Sequence, residues 1–523
     1  MTPEDQQHLM LGDALGRIAA NPTASHLWLH LAALVQATSN TDLLMAVVRT
    51  ITAQVSSHGL AGFYRAGTLD LITGDPDYLP QACACLQSLV PLDFDRCSEF
   101  FDIAWQRALL QARDRNSYLQ RLEAIGLPAL SQQIGRELAT RMPATAPAPA
   151  LQLRRVALVA PHLATPAHPP TQMVLDHADV LLRHGIEVNL FSCQEAQLPD
   201  ADHLLGTGVR NVSMQTDLQP WLDTVGTAVL VYCADTRFSL LRRWTDMHNA
   251  VQAYGPDLVL FIGLHAGLVR ALYRSYPVLG LATNSVAPLV PMDAWLTAQP
   301  ELAGSTASPW GAGFAGGVAC HHPFRARRRD AGAALSRGSL GLADDALLMM
   351  TMGTHLEVKV AGAWAQRMRA AMERHPRLVW LLLGDEGQLP PALAGLPPQR
   401  LRLQGKTPHA MQYLAASDFY LHPPIMGGGF SVADAMSLGI PTLALAGADG
   451  GDKVGADAVA DLDDYFAMLD ALIADPALRQ ACGQRMQNRF DTELDLAASG
   501  PSLLAAGETA MQHYRQRIKQ TTA

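Results

Sequence analysis

The chain has 523 residues, which at about 150 residues per domain suggests three domains. Hydrophobic residues make up 49% and charged residues 17%, a balance that excludes large-scale disorder. The net charge of −9 argues against a nucleic-acid binder, which needs a basic face to displace counterions; a small anionic ligand needs only a local site.

The 7 cysteines are odd in number and scattered, so free thiols in a reducing compartment are expected rather than a disulfide framework. The first residues, MTPEDQQHLM, hold no basic stretch followed by an apolar one, so no secretory leader is expected. The most apolar run, Leu258–Val269, is short of the roughly 20 residues of a membrane span. A soluble, cytoplasmic protein is the expectation.

Residues 1–141 show apolar positions recurring at three and four, as in Leu27, Leu31, Leu34 and Val35, or Phe100, Phe101, Ala104 and Leu109. That period predicts an all-helical domain. Residues 142–152 are rich in alternating Pro and Ala, which cannot propagate a helix and read as a linker or arm. From 153 to about 325, fully apolar strand candidates (Val156–Ala160, Val188–Phe191, Val229–Tyr232, Leu258–Ile262) alternate with helices. Strands apolar along their whole length are buried on both faces, as in parallel sheets covered by helices. A second such series, 326–523, has strands predicted at Leu347–Thr351, Val379–Leu383, Arg402–Leu403, Phe419–Leu421 and Thr442–Leu445, with helices after them to the end. Between the two lies the basic run Arg325–Arg329, expected to be a solvated linker. The fold class predicted is α/β, with two Rossmann-like domains facing a cleft behind an all-α domain, and ligands bind in such clefts at the carboxyl ends of the strands.

The segment Gly427-Gly428-Gly429-Phe430-Ser431, between a strand and a helix, carries the clearest chemistry. Glycines let the backbone approach a ligand, and the free N–H groups of a helix starting near Ser431 would face it, which suits a diphosphate. Asp434, about one turn on, is placed to accept from a ribose diol. The plain alternative is a glycine-rich turn with Ser431 as N-cap and Asp434 as a dipole partner. Lys359 offers a mobile cation to a leaving diphosphate in place of a metal; a surface lysine ahead of a helix is the plain reading. His162 and His168 follow the first strand, where a neutral histidine can take a proton from an acceptor; solvated loop histidines are the alternative. His265 sits in an apolar segment and is expected in the core. Cys320-His321-His322 has no second cluster to complete a metal site.

Together these segments resemble glycosyltransferases of the two-Rossmann-domain GT-B class. Within it they are most similar to the family of protein O-GlcNAc transferases and bacterial HMW1C-type N-glycosyltransferases. The resemblance rests on His168-Pro169-Pro170-Thr171, on Ile262-Gly263 with Arg274-Ser-Tyr-Pro277, and on Ser336-Arg337 with Gly341-Leu342 and Asp345. Lys406-Thr-Pro-His409 and Gly427–Pro441 complete it. It covers roughly 153–500. The resemblance implies an inverting, metal-independent transfer of a hexose or N-acetylhexosamine from UDP-glucose or UDP-GlcNAc to a polypeptide, an adhesin or other surface protein being one candidate. It implies no resident cofactor. Catalysis would fall to His168 and Lys359, with Lys406, His409, Gly427, Gly428, Gly429, Phe430, Ser431 and Asp434 holding the nucleotide. The helical domain would help dock the acceptor or a protein partner.

Three positions depart from the family pattern. Its Thr-Thr pair is Phe430-Ser431, its Gly-His/Tyr-Pro is Thr283-Asn284-Ser285, and Lys359 stands about two residues late, with Glu357 at the expected offset. They motivate a second expectation, a weakened subunit acting as partner or chaperone of an active transferase. A UDP-sugar epimerase is a third.

Overall fold

The computed structural model describes residues 3–522 apart from 143, 145–148, 167, 198–217, 226–228, 285, 309, 311–313, 315–316, 324–325 and 385–388. Part of the Pro/Ala segment (143 and 145–148), Ser285 and Arg325 lie outside the described residues. Pro3–Arg141 folds into eight helices among the described residues. The sixth, Phe94–Gln111, starts where the Asp93 carboxylate accepts from the Arg96 amide at 3.1 Å, a side-chain cap for a free helical N–H. No helix among the described residues is long and apolar enough to cross a membrane.

The helical domain is fused to the first sheet rather than hung on a linker. One hydrophobic core runs from Leu11 through Phe100 and Leu130 to Phe261 and Trp295. At its centre Arg270 donates from Nε to Ser131 Oγ at 2.9 Å, and Ser131 donates to the Leu289 carbonyl at 3.0 Å. Arg270 and Ser131 are both buried, so each polar group is satisfied across the boundary, as burial requires.

That first sheet has seven strands: β1 (Arg155–Ala160), β2 (Glu187–Ser192), β3 (Val231–Cys233), β4 (Leu258–Ile262), β5 (Val278–Leu281), β6 (Ala294–Thr297) and β7 (Val318–His321). Their order is β3-β2-β1-β4-β5-β6-β7, and all pairings are parallel. The second has five: β8 (Leu347–Met352), β9 (Leu378–Gly384), β10 (Leu401–Gly405), β11 (Phe419–Leu421) and β12 (Thr442–Leu443), in the parallel order β10-β9-β8-β11-β12. Each order reverses once, between β1 and β4 and between β8 and β11. At a reversal the flanking helices go to opposite faces, so a crevice opens at the strands' carboxyl ends.

Two sequence expectations are corrected here. The basic run is not a solvated linker. Arg327 donates to Asp176 and Asp179 of the helix Pro169–Arg183, at 2.7 and 2.5 Å. Arg328 pairs with Asp491 and stacks 4.8 Å from the Phe490 ring, and Arg329 pairs with Asp434. Arg327 thus ties this connecting segment to the first domain, while Arg328 and Arg329 tie it to the second. Second, the last helix, Gly500–Thr522, does not pack with the second sheet. Leu503, Ala506, Ala510 and Met511 join the core under β1, β4, β5 and β6. Tyr514 Oη donates to the Ser275 carbonyl at 2.6 Å, and Arg517 donates to Asp293 at 2.9 Å. The chain therefore crosses between domains twice. The two crossings run side by side, with the Leu496 amide donating to the Ala326 carbonyl at 2.9 Å.

Arg327→Ala removes two charge-assisted hydrogen bonds from carboxylates held at the boundary, so urea titration should show a loss of about 2 kcal/mol. A loss of ~0.5 kcal/mol or less would mark these as ordinary surface pairs.

Candidate functional site

A cavity of about 290 Å³ lies where three parts of the chain meet. The loop after β1 contributes Pro161, His162 and His168. The loop after β4 contributes Gly263, Leu264 and His265, so this wall is the crevice of the first sheet. Opposite are Thr354, His355 and Lys359, from the turn after β8. The third wall is one face of the helix Phe94–Gln111, including Phe101, Asp102 and Trp105. His168 and Lys359, far apart in sequence, thus share one cavity.

His168 caps the helix Pro169–Arg183, where Pro169 and Pro170 preset the first turn. Its Nδ1 lies 3.3 Å from Thr171 Oγ1, which also accepts from the Ala164 amide at 2.9 Å. Burial pushes both His162 and His168 down to about 4, with the rings 5.7 Å apart. For His168 the neighbouring His162 adds to the depression, and the Asp102 charge opposes it. Both rings are therefore neutral at pH 7, and the burial that keeps them so also makes each a weaker base than a solvated imidazole.

His265 is not the core residue expected. It lines the cavity and stacks flat on Phe101, with centroids 4.0 Å apart and an interplanar angle of 3°. Glu195, which sequence reasoning missed, also borders the cavity. Its carboxylate accepts from Trp244 Nε1 at 2.7 Å and from the Gly267 amide at 3.3 Å. Burial pushes it up to about 7, partly offset by those donors.

The glycine segment occupies the crevice of the second sheet, just after β11. Its helix begins at Gly429, two residues before the expected start, with Gly428 as N-cap at φ +95°, a left-handed conformation that favours glycine. The Gly429 amide, expected to face a diphosphate, donates to Asp449 Oδ2 at 2.9 Å. Asp449 is paired in turn with the buried Lys453 at 3.0 Å. An internal carboxylate thus holds part of the helix N-terminus. His422 packs beneath: a Cβ on Gly428 would sit 2.8 Å from its ring, and one on Gly450 2.4 Å. Neither His422 ring nitrogen makes a well-formed hydrogen bond, and burial pushes the ring down to about 4.

Phe430, standing where a hydroxyl was expected, packs against the cores of both sheets. The Ser431 hydroxyl interacts with Tyr420 Oη. Asp434 is 4% exposed and engaged by Arg329, whose Nε donates at 2.9 Å. Gly427 abuts the helical domain, where a Cβ would lie 3.9 Å from Leu109. Lys406 and His409 are exposed at the carboxyl end of β10 and do not line the cavity. β9 and β8 separate them from β11, roughly 14 Å at strand spacing. The Asp449–Lys453 cap had a trace in the sequence: an acid, two glycines and a lysine one turn later.

No family model matches the chain, and no curated protein sequence does. Among solved structures, a lysine-to-methionine mutant of Thermobaculum terrenum O-GlcNAc transferase aligns over 99% of this chain and 100% of its own, with a TM-score of 0.58 and 14% identity. Less similar are the lipopolysaccharide outer core galactosyltransferase WaaB (TM-score 0.44, 13% identity, 70% of this chain and 99% of that one) and the glycosyltransferase SnogD from Streptomyces nogalater (TM-score 0.37, 16% identity, 68% and 99%). At such identity the first likeness is one of architecture: this chain has the GT-B fold, preceded by helices, and resembles O-GlcNAc transferase in it.

Gly429→Ala would place its Cβ 2.3 Å from Asp449 Oδ2, so it should cost about 2 kcal/mol in urea titration by forcing the buried ion pair aside. Acid should also weaken the fold through His422. Its ring is held near 4 against an ordinary 6.5, so the neutral ring's contribution is complete above pH 6.5 and lost as pH falls through 4. Wild type should lose about 3 kcal/mol more than His422→Asn across that window; equal losses would contradict the assignment.

Proposed function

We propose that the chain is an inverting, metal-independent glycosyltransferase that moves a hexose or N-acetylhexosamine from a UDP-sugar to a polypeptide. The observation that carries this reading is the single cavity in which the crevice loops of the first sheet face the turn after β8. His168, a neutral imidazole, and Lys359 both line it, which supports the reading. An acceptor hydroxyl attacks the anomeric carbon while its proton passes to His168. With the imidazole proton on Nδ1 toward Thr171, Nε2 is the basic atom. The bond from the anomeric carbon to the phosphate oxygen breaks, and the electron pair leaves with the diphosphate. Lys359 and the first-turn amides of Phe430 and Ser431 stabilise that charge, as fixed donors do in a site screened from water. Lys406 and His409 would hold the nucleotide's outer end. A ribose role for Asp434 requires its pair with Arg329 to open.

Three observations favour the second reading, a weakened partner subunit: Asp449 on the Gly429 amide, Arg329 on Asp434, and Phe430 wedged between the two cores. Calorimetry with UDP tests the first reading. Sub-millimolar binding is expected, weakened about tenfold by Lys359→Ala, the equivalent of about 1.4 kcal/mol. No binding of UDP or of any UDP-sugar at millimolar concentration would contradict it. UDP-sugar turnover by the isolated chain would overturn the second.

A further inference from the structure

The cavity has more apolar wall than a sugar donor uses. Phe101, Trp105 and Leu109 recur every four residues along the helix Phe94–Gln111 and line one side of it, the spacing that puts side chains on one helical face. Phe101 is buried at the inner end, Trp105 and Leu109 are half-buried, and Leu110 at the rim is 37% exposed. On the turn that carries the cavity residue Lys359, Val358 is 53% exposed beside the opening without lining the cavity itself. A hexose can lay one C–H face on a single aromatic ring, but the apolar face running from Phe101 through Trp105 to Leu109 and Leu110 is longer than one sugar ring covers. Exposed apolar side chains gathered around one opening, rather than scattered singly, mark a binding surface.

We propose that the acceptor presents its nucleophile beside an aromatic or branched apolar side chain, and that the helix Phe94–Gln111 is the element that reads it. This inference rests on the glycosyl-transfer reading and names its acceptor class. The occupant is a polypeptide segment. From Phe101 to Leu110 the wall is about 13 Å long at 1.5 Å per residue, room for roughly four extended residues at 3.3 Å each. The deep end, under Trp105, takes the apolar side chain next to the nucleophile. Leu110 and Val358 contact the chain as it leaves. Asp102 and Gln106, on the same face, meet its backbone amides. The all-helical domain thereby sets specificity from inside the site, which accounts for its sharing a core with the first sheet.

The test uses the full chain and fluorescein-labelled heptapeptides with a central serine, flanked by Phe, Leu, Gly, Lys or Asp, in fluorescence polarisation. Phe- and Leu-flanked peptides should bind at least tenfold tighter than the other three. Trp105→Ala should reduce that preference. So should Leu110→Asp and Val358→Asp, which change exposed side chains and leave the core intact. Equal affinities across the panel, tighter binding of charged flanks, no binding at millimolar peptide, or a preference unchanged in the two aspartate variants would each overturn the proposal. UDP calorimetry on the same samples separates the two claims. Peptide preference without UDP binding keeps the apolar surface and removes the transfer reading, whereas UDP binding without peptide preference does the reverse.

Discussion

Each parallel sheet reverses its strand order once, and the positions of those reversals govern the rest of the molecule. A right-handed crossover that adds a strand on one side of its predecessor lays its helix on one face of the sheet, and one that adds it on the other side lays its helix on the opposite face. When the chain returns to the other side, two neighbouring strands send their loops apart, and no helix covers the gap. In this protein one gap separates the loops after β1 and β4, and the other separates those after β8 and β11. The residues with chemical potential sit in these gaps: His162, His168 and His265 in one, Lys359 and the glycine segment in the other. The cavity draws its imidazoles from loops of the first sheet and its ammonium from the turn after β8 of the second.

Keeping the gaps opposed falls to the crossings. The segment after β7 and the segment before the last helix run side by side and carry Arg327, Arg328 and Arg329, each bonded to a different part of the protein. Arg329 reaches the helix that begins in the glycine segment, so the hinge and the second crevice share an ion pair. The helical domain closes a third side. It bonds to the first domain through Ser131 and Arg270, and to the second through Arg115 and Asp452 at 2.6 Å. The helix Phe94–Gln111 between those contacts is thereby fixed over the cavity.

Much of this architecture was legible in the residues. Strands with uninterrupted apolar runs, such as Leu258–Ile262 and Leu378–Gly384, announced themselves because parallel sheets bury both faces. Three strands, β5, β6 and β7, were missed. They are four residues each and hold Gly, Thr or His, so no periodic signal survives. The last helix was assigned to the wrong sheet because its apolar stripe fits any helix-covered surface, and only the crossing at Ala326 and Asp495 directs it back. Charges were the least legible. A basic run reads the same whether its partners are water or carboxylates far away along the chain. Arg329 on Asp434 and Asp449 on Gly429 depend on tertiary placement. His265 misled for a related reason: an apolar segment can end at a cavity as well as in a core.

The most direct measurement is a crystal structure of the chain soaked with UDP. The account predicts the diphosphate between the glycine segment and the turn after β8, about 3 Å from the amides of Phe430 and Ser431 and from Lys359 Nζ. Nucleotide density away from both crevices, for instance along the outer face of β10 beside Tyr413, would contradict it.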